Sequence, residues 1–213
     1  MREPFTCVKG VMAVMPQSNI NTDAIIPSAY LRSAKTDLGK GLFGGHRYDE
    51  SGRERPDFVL NRAPFRAARV LLADGNFGCG SSREMAVWAL QQFGIRCVLA
   101  PSFADIFYEN AFRNGLLAGL IDTETFAALA AAVAAHPTEP IVKVDLAARS
   151  IVAPDGRSYT FRVPATRAEA LMRGDDEIDT TLRHTAEIEA YYAAAKAGRG
   201  WLYQASMAKG QSA

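Results

Sequence analysis

The feature that most constrains this chain is a strand, a glycine-rich turn and a helix start following one another between Ala68 and Leu90. The run Ala68-Arg69-Val70-Leu71-Leu72-Ala73 has the length and aliphatic content of a buried strand. Asp74-Gly75-Asn76-Phe77-Gly78-Cys79-Gly80 follows, and its glycines permit backbone turns that a Cβ would forbid. Ser81-Ser82-Arg83-Glu84 then reads as a capping box, the Ser81 hydroxyl on the third amide and the Glu84 carboxylate back on the cap. A helix start presents unpaired N–H groups and a partial positive charge, which together favour a bound anion. Arg83, in the expected first turn, adds a planar fork suited to a carboxylate. The stretch points to a site for an acidic small molecule. The alternative is that Ser81 and Glu84 only end-cap the helix, worth about 1 kcal/mol.

The spacing excludes three better-known glycine motifs. No Gly-Lys-Ser/Thr follows, as a P-loop needs, and the glycines run G-x-x-G-x-G rather than G-x-G-x-x-G. A nucleophile elbow, G-x-S-x-G, is missing because Ser82 and Arg83 follow Ser81.

Around this stretch, strand-like and helix-like segments alternate. Residues 96–100 and 116–121 read as further buried strands, with a helix over 103–112 between them capped by Ser102. Met85, Trp88 and Ala89 form the expected apolar stripe of the first helix, and Gly94 stops it. Such alternation predicts an α/β layer with parallel pairing. A first strand is expected over 5–14, and strands at 141–146, 150–153 and 158–163, with Pro154-Asp155-Gly156-Arg157 as a hairpin turn. Thr123 and Thr166 are the expected caps of two more helices. Residues 174–179 read as an acidic loop and 185–197 as a surface helix. Residues 35–55 are dominated by glycine and charge and predict a flexible flap beside the site. Residues 1–197 therefore make one domain, with 198–213 as a flexible C-terminal tail.

The net charge of +1 over 213 residues gives no electrostatic reason to expect nucleic acid or a membrane surface. The first residues lack a signal-peptide core, and the Ala-rich run 126–135 is half the ~20 residues of a membrane span. A cytoplasmic protein is expected. Cys7, Cys79 and Cys97 are too scattered for a disulfide framework or a metal site. Cys7 and Cys97 read as core residues, and Cys79 as a loop-packing residue that a helix start could activate. His46, His136 and His184 share no ligand spacing, so the chain is expected to bind no metal itself.

Several blocks carry a family resemblance. Asn21-Thr22-Asp23-Ala24-Ile25-Ile26-Pro27, Asn76-Phe77-Gly78-Cys79-Gly80-Ser81-Ser82-Arg83-Glu84 and Ala100-Pro101-Ser102-Phe103-Ala104-Asp105-Ile106-Phe107 resemble, in order, the small subunits of 3-isopropylmalate dehydratase. Asp57-Phe58-Val59-Leu60-Asn61 and the segment from Gly174 to Leu182 look like the same family. The resemblance implies the swivelling β/β/α domain of the aconitase superfamily, an α/β fold. It implies a large partner subunit that carries a [4Fe–4S] cluster, none being bound by this chain. The implied reaction, in leucine biosynthesis, is dehydration and rehydration of a 2-hydroxy diacid, interconverting 2- and 3-isopropylmalate. The catalytic roles pass to Ser81, as base, and Arg83, as carboxylate binder. Asp23, Ser82, Tyr30, Leu31 and Arg32 form the implied substrate-binding set, the last three from the loop that selects among substrates.

The chemistry divides sensibly between two chains. Removing a proton beside a carboxylate builds up negative charge, and a cluster iron with an open position can act as Lewis acid toward the leaving hydroxyl. A hydroxyl is a weak base unless its developing anion is stabilised, as a helix start and Arg83 would do. One departure stands out: the family commonly has His-Ala-Pro after Arg-Glu, and this chain has Met85-Ala86-Val87. With Arg32 in the specificity loop, it keeps open a paralogous small subunit for a methyl-substituted malate or homoaconitate. Another alternative is a binding-only dicarboxylate module.

Overall fold

The structure, a computed structural model, describes residues 2–31 and 37–203. The chain opens with β1 (Cys7–Met15), then a short helix α1 (Thr22–Ile25) and a 3-10 turn at Ser28–Leu31. Two single-turn helices follow, α2 (Leu38–Gly41) and α3 (Gly44–Arg47). An alternating region comes next: β2 (Ala68–Ala73), α4 (Glu84–Phe93), β3 (Cys97–Ala100), α5 (Asp105–Arg113), β4 (Leu117–Leu120) and α6 (Thr123–Ala135). The remaining elements are β5 (Ile141–Asp145), β6 (Ser150–Val152), β7 (Ser158–Thr160), α7 (Ala165–Arg173), α8 (Glu177–Leu182) and α9 (Thr185–Gly198).

The strands form one sheet in the order β4-β3-β2-β1-β5-β6-β7. From β4 to β1 the pairing is parallel, and from β1 to β7 it is antiparallel. The parallel half is covered on both faces, which is why its strands read as unbroken apolar runs. In β2, Leu71 and Ala73 face a core with Ile25, Phe43, Val87 and Leu90, while Val70 and Leu72 face one with Leu129, Val133 and Leu171. This α/β architecture matches the expected fold class. In the parallel half, β1, β2 and β3 point the same way, so the loops after them emerge along one edge of the sheet. Open α/β sheets place their ligands at that edge.

Several local expectations are corrected. Residues 37–55 are not a flap: Leu38, Leu42 and Phe43 enter the first core, and Gly39 lies so close to the α4 backbone that a Cβ there would fall 2.7 Å from the Gln92 carbonyl carbon. Arg47 is buried, its Nε donating to Asn61 Oδ1 at 3.0 Å, while Asn61 Nδ2 donates to the carbonyls of Arg47 and Arg55. Gly39, Gly41 and Gly44 serve close packing, whereas Gly52 turns the chain at φ 77° in open space. Residues 35 and 36 of the expected flap lie outside the described residues.

Trp88 is exposed and donates its indole N–H to Asn114 Oδ1 at 2.8 Å, so the buried stripe of α4 is Ala86, Val87, Ala89 and Leu90. Cys7 is exposed at the first residue of β1, while Cys97 is fully buried, which pushes its thiol pKa upward. The helix α6 is capped by Asp122 rather than Thr123, and α7 begins after Pro164 without a side-chain cap. Helix α9 runs through Gly198 and a 3-10 turn spans Gly200–Leu202. Of the expected tail, residues 204–213 lie outside the described residues.

The acidic segment also forms structure. Asp176 and Asp179 make a reciprocal capping box that starts α8. Just before it, the buried Asp175 carboxylate accepts from Arg183 Nε and Nη2 and from Arg173 Nε, each at 2.7 Å. Those two guanidiniums hold its pKa down to about 2. A carboxylate whose folded pKa is depressed stabilises the fold above its ordinary range, and that contribution disappears as pH falls through the folded value. Acid titration followed by circular dichroism is therefore expected to show loosening of α8 between about pH 4 and pH 2. Asp175→Asn should remove the Asp175-dependent component from that window.

Candidate active site

Three loops leave the parallel edge and continue its hydrogen bonding beyond the strands. After β1, Ile20 accepts from the Gly78 N–H and the Thr22 N–H donates to the Cys79 carbonyl, so that Asn21 pairs with Cys79 in parallel. After β3, the Phe77 N–H donates to the Ser102 carbonyl and the Ala104 N–H to the Phe77 carbonyl. The glycine loop is thus the middle rung of a three-loop ladder. Asn76 adopts the left-handed region at φ 57°, its amide N–H donating to Ser102 Oγ at 2.8 Å and its side chain to Asn19 Oδ1 at 2.8 Å. Gly78 must lack a side chain: at φ 79°, a Cβ would fall 2.2 Å from the Phe107 ring.

The ladder decides where α4 begins. The expected capping box is not formed. The helix starts at Glu84 behind Arg83, which makes no side-chain cap, and Ser81 lies in the loop ahead of it. Gly80, at φ 88°, turns the chain out of line with the helix, and buried Thr22 donates its hydroxyl to the Ser81 carbonyl at 2.7 Å. Ser102, likewise, serves the glycine loop rather than capping α5, which starts at Asp105. Glu84 accepts from Asn114 Nδ2 at 2.8 Å instead of reaching back to a cap. The consequence favours chemistry, because the exposed Ser81 hydroxyl is spent on no cap and has no hydrogen-bond partner among the described residues.

Ser81, Ser82 and Arg83 line a cleft of about 220 Å³ together with Thr22, Asp105 and Ile106. Arg83 is largely covered, and its Nη1 meets Asp23 Oδ1 at 2.5 Å and the Ile26 carbonyl at 3.4 Å. Among the described residues nothing occupies Nε or Nη2, so one edge of the guanidinium is tied down and the other is available to a carboxylate. Asp23 does not line the cleft and stands beside it through this pair. Its loop is set by Asn21, whose Oδ1 accepts from the Ala24 N–H at 2.7 Å as the N-cap of α1.

Tyr30 and Leu31 pack half-buried against the first core, Tyr30 over Gly41 and Gly44, and neither lines the cleft. Arg32 lies outside the described residues. Met85, at the departure from the family pattern, also packs half-buried on the core and not in the cleft wall. Sequence reasoning passed over Thr22 and Ile106, although both sit in motifs it had singled out. Cys79 is a loop-packing residue, its thiol directed at the Asn19 carbonyl at 3.4 Å. Among the described residues no group of three or more His, Cys, Asp or Glu side chains is placed to hold a metal ion. No described helix is long and apolar enough to cross a membrane.

Comparison with known proteins agrees with this architecture. Residues 2–122 match the Aconitase C-terminal domain family. The 3-isopropylmalate dehydratase small subunit of Rhodospirillum centenum is 48% identical over 200 residues, spanning 93% of this chain and 98% of that protein. The protein of the same name from Agrobacterium fabrum is 45% identical over 200 residues, 93% of this chain and 99% of that one. A crystal structure of 3-isopropylmalate dehydratase from Methanocaldococcus jannaschii superposes with a TM-score of 0.61 at 28% identity, covering 87% of this chain and 99% of that one. A domain match over more than half the chain, near-complete relatives above 40% identity and a shared fold lead to one conclusion: the chain belongs to the 3-isopropylmalate dehydratase small-subunit family of the aconitase superfamily.

Proposed function

We propose that this chain is the smaller half of a cytoplasmic hydro-lyase that interconverts 2- and 3-isopropylmalate, active only when a large subunit covers the Ser81 cleft. The observation that carries the reading is the cleft itself, where an uncommitted hydroxyl and a half-engaged guanidinium share one small open space. Ser81 Oγ, as its alkoxide, takes the proton from the carbon beside a carboxylate and becomes the neutral hydroxyl. The C–H pair forms the double bond, the hydroxyl on the neighbouring carbon leaves with its C–O pair, and Arg83 holds the carboxylate through its unoccupied edge. The Glu84 and Met85 amides, which precede the first turn bond from the Ala86 N–H to the Arg83 carbonyl, add positive potential where the anion develops.

Charge supports the two-chain reading. Among the described residues lining the cleft Arg83 is the cation, and it stands against Asp105 in the wall and Asp23 at its side. A diacid needs more positive charge than this, so a partner would bring it. The described residues do not fit a cluster, and the iron–sulfur group that the superfamily implies would therefore belong to the large subunit. Met85 stands away from the cleft, so the departure from the family's His-Ala-Pro leaves the wall intact and isopropylmalate remains the favoured substrate.

The test is to mix the purified chain with a reconstituted large subunit and follow a panel of 2-hydroxy diacids by chromatography. Turnover is expected only in the mixture, with isopropylmalate preferred over a methyl-substituted malate by roughly tenfold or more, as one or two methylenes in an apolar pocket allow. Tight dicarboxylate binding by the lone chain, with no turnover beside any large subunit, would overturn the reading.

A further inference from the structure

Helix α9 carries an apolar stripe that none of the described residues covers. Ile188, Tyr191, Tyr192 and Ala195 recur at the i, i+3, i+4, i+7 spacing of a core-facing stripe, flanked by Glu187 on one side and Glu189 and Lys196 on the other. None of the helix is buried, and Tyr191 is 67% exposed. Fourteen residues make a marginal helix in water, and most helical stability comes from packing of an amphipathic face. The same apolar character extends backward through Ile178 and Leu182 of α8. It also extends forward to Trp201, which is 72% exposed. Aromatic side chains in this density are typical of the core of a protein interface.

The first turn of α8, which leads into α9, reaches the mouth of the cleft. Glu84 directly follows Arg83, and it lines one depression with Arg113 and Asn114 and with Glu177 and Ile178 of the first turn of α8. Arg113 Nε bonds Glu177 Oε1 at 2.7 Å, and Asn114 bridges Glu84 and Trp88, fixing α8 beside the mouth of the site. Ile106, half-exposed in the cleft wall, and Trp88 continue the apolar rim. A body that covers Ser81 and Arg83 reaches Ile178 by spanning that one depression.

We propose that α8, α9 and the Gly200–Leu202 turn form the docking face for the large subunit, with Tyr191, Tyr192 and Trp201 as its anchors. The inference rests on the two-chain reading and adds to it where the partner is gripped. The C-terminal helices hold the large subunit and the glycine loop is presented to it, so assembly and chemistry use different residues of this chain.

The test uses the full chain with the large subunit. Tyr191→Ser combined with Tyr192→Ser, and separately Trp201→Ser, should each weaken binding measured by titration calorimetry by roughly thirtyfold, as interface anchors do. At saturating large subunit kcat should stay at the level of the unaltered chain, and the melting temperature of the lone chain should not move. Ala190→Glu, on the opposite side of α9, should leave affinity unchanged. Undiminished affinity in the stripe variants, or loss of affinity in Ala190→Glu alone, overturns the proposal. Variants that dissolve a homodimer of this chain while binding the large subunit normally would assign the face to a second copy and also overturn it. Turnover by the unaltered pair is scored separately, so failure of the docking face and failure of the enzymatic reading remain distinguishable.

Discussion

Ser81→Ala, assembled with its large subunit, is expected to lose about three orders of magnitude in kcat, the scale of removing a positioned general base. The assembled pair should otherwise be unaffected. Ser81 is exposed, its hydroxyl takes part in no cap, and the backbone contact that fixes the loop runs from Thr22 to the Ser81 carbonyl, which alanine keeps. The melting temperature and the affinity for the large subunit should therefore match the unaltered chain. Steady-state kinetics beside a calorimetric binding curve decide the matter. A rate within about tenfold of normal would remove Ser81 from the base role.

Arg83→Lys is the second large effect. Arg83 uses one edge for Asp23 and the Ile26 carbonyl, and the edge unoccupied among the described residues is the one proposed for substrate, so two jobs would fall to one planar group. Lysine offers a point charge on a flexible stem and cannot present two parallel donors while also holding Asp23. Losing a charge-assisted bond of this kind costs about 2–3 kcal/mol, so kcat/KM should fall by about a hundredfold. On the proposed role, the contact is to a substrate carboxylate in both ground and transition states, so KM should rise alongside the fall in kcat. An unchanged kcat/KM would mean that Arg83 serves only to hold the Asp23 loop, which a melting curve would register.

Much of the fold was legible because the parallel strands are buried on both faces. Residues 68–73 and 97–100 could be read as strands from unbroken apolar runs alone, and Gly94 ended its helix as expected. The failures share one physical cause, which is competition from residues distant in sequence. Ser81 has the right spacing to cap α4, yet Thr22, 59 residues earlier, takes its carbonyl and the three-loop ladder sets its direction. Residues 37–55 carry no periodicity, because their order comes from Arg47 reaching Asn61 and from Gly39 lying against α4. Trp88 fits an apolar stripe by spacing, but Asn114 at the end of α5 offers its indole N–H a partner at the surface.

The candidate cleft was legible in part. The glycine loop announced Ser81 and Arg83, since strand, turn and helix start must follow in that order whatever else the chain does. Thr22 was not distinguishable from its neighbours, because its role depends on two loops lying side by side. The placement of Tyr30 on Gly41 and Gly44 was equally hidden, as it depends on a region that reads from sequence as unstructured.

Hydrogen-bonding the loops after β1, β2 and β3 into one another has a mechanical result. The backbone carrying Ser81 and Arg83 is fixed to the sheet, so the spacing between the two residues is set once, at folding. Any opening or closing over a substrate would then be a pivot of the entire body about its seat on the other polypeptide. The domain would behave as a key turned by its shank, with its teeth cut in advance.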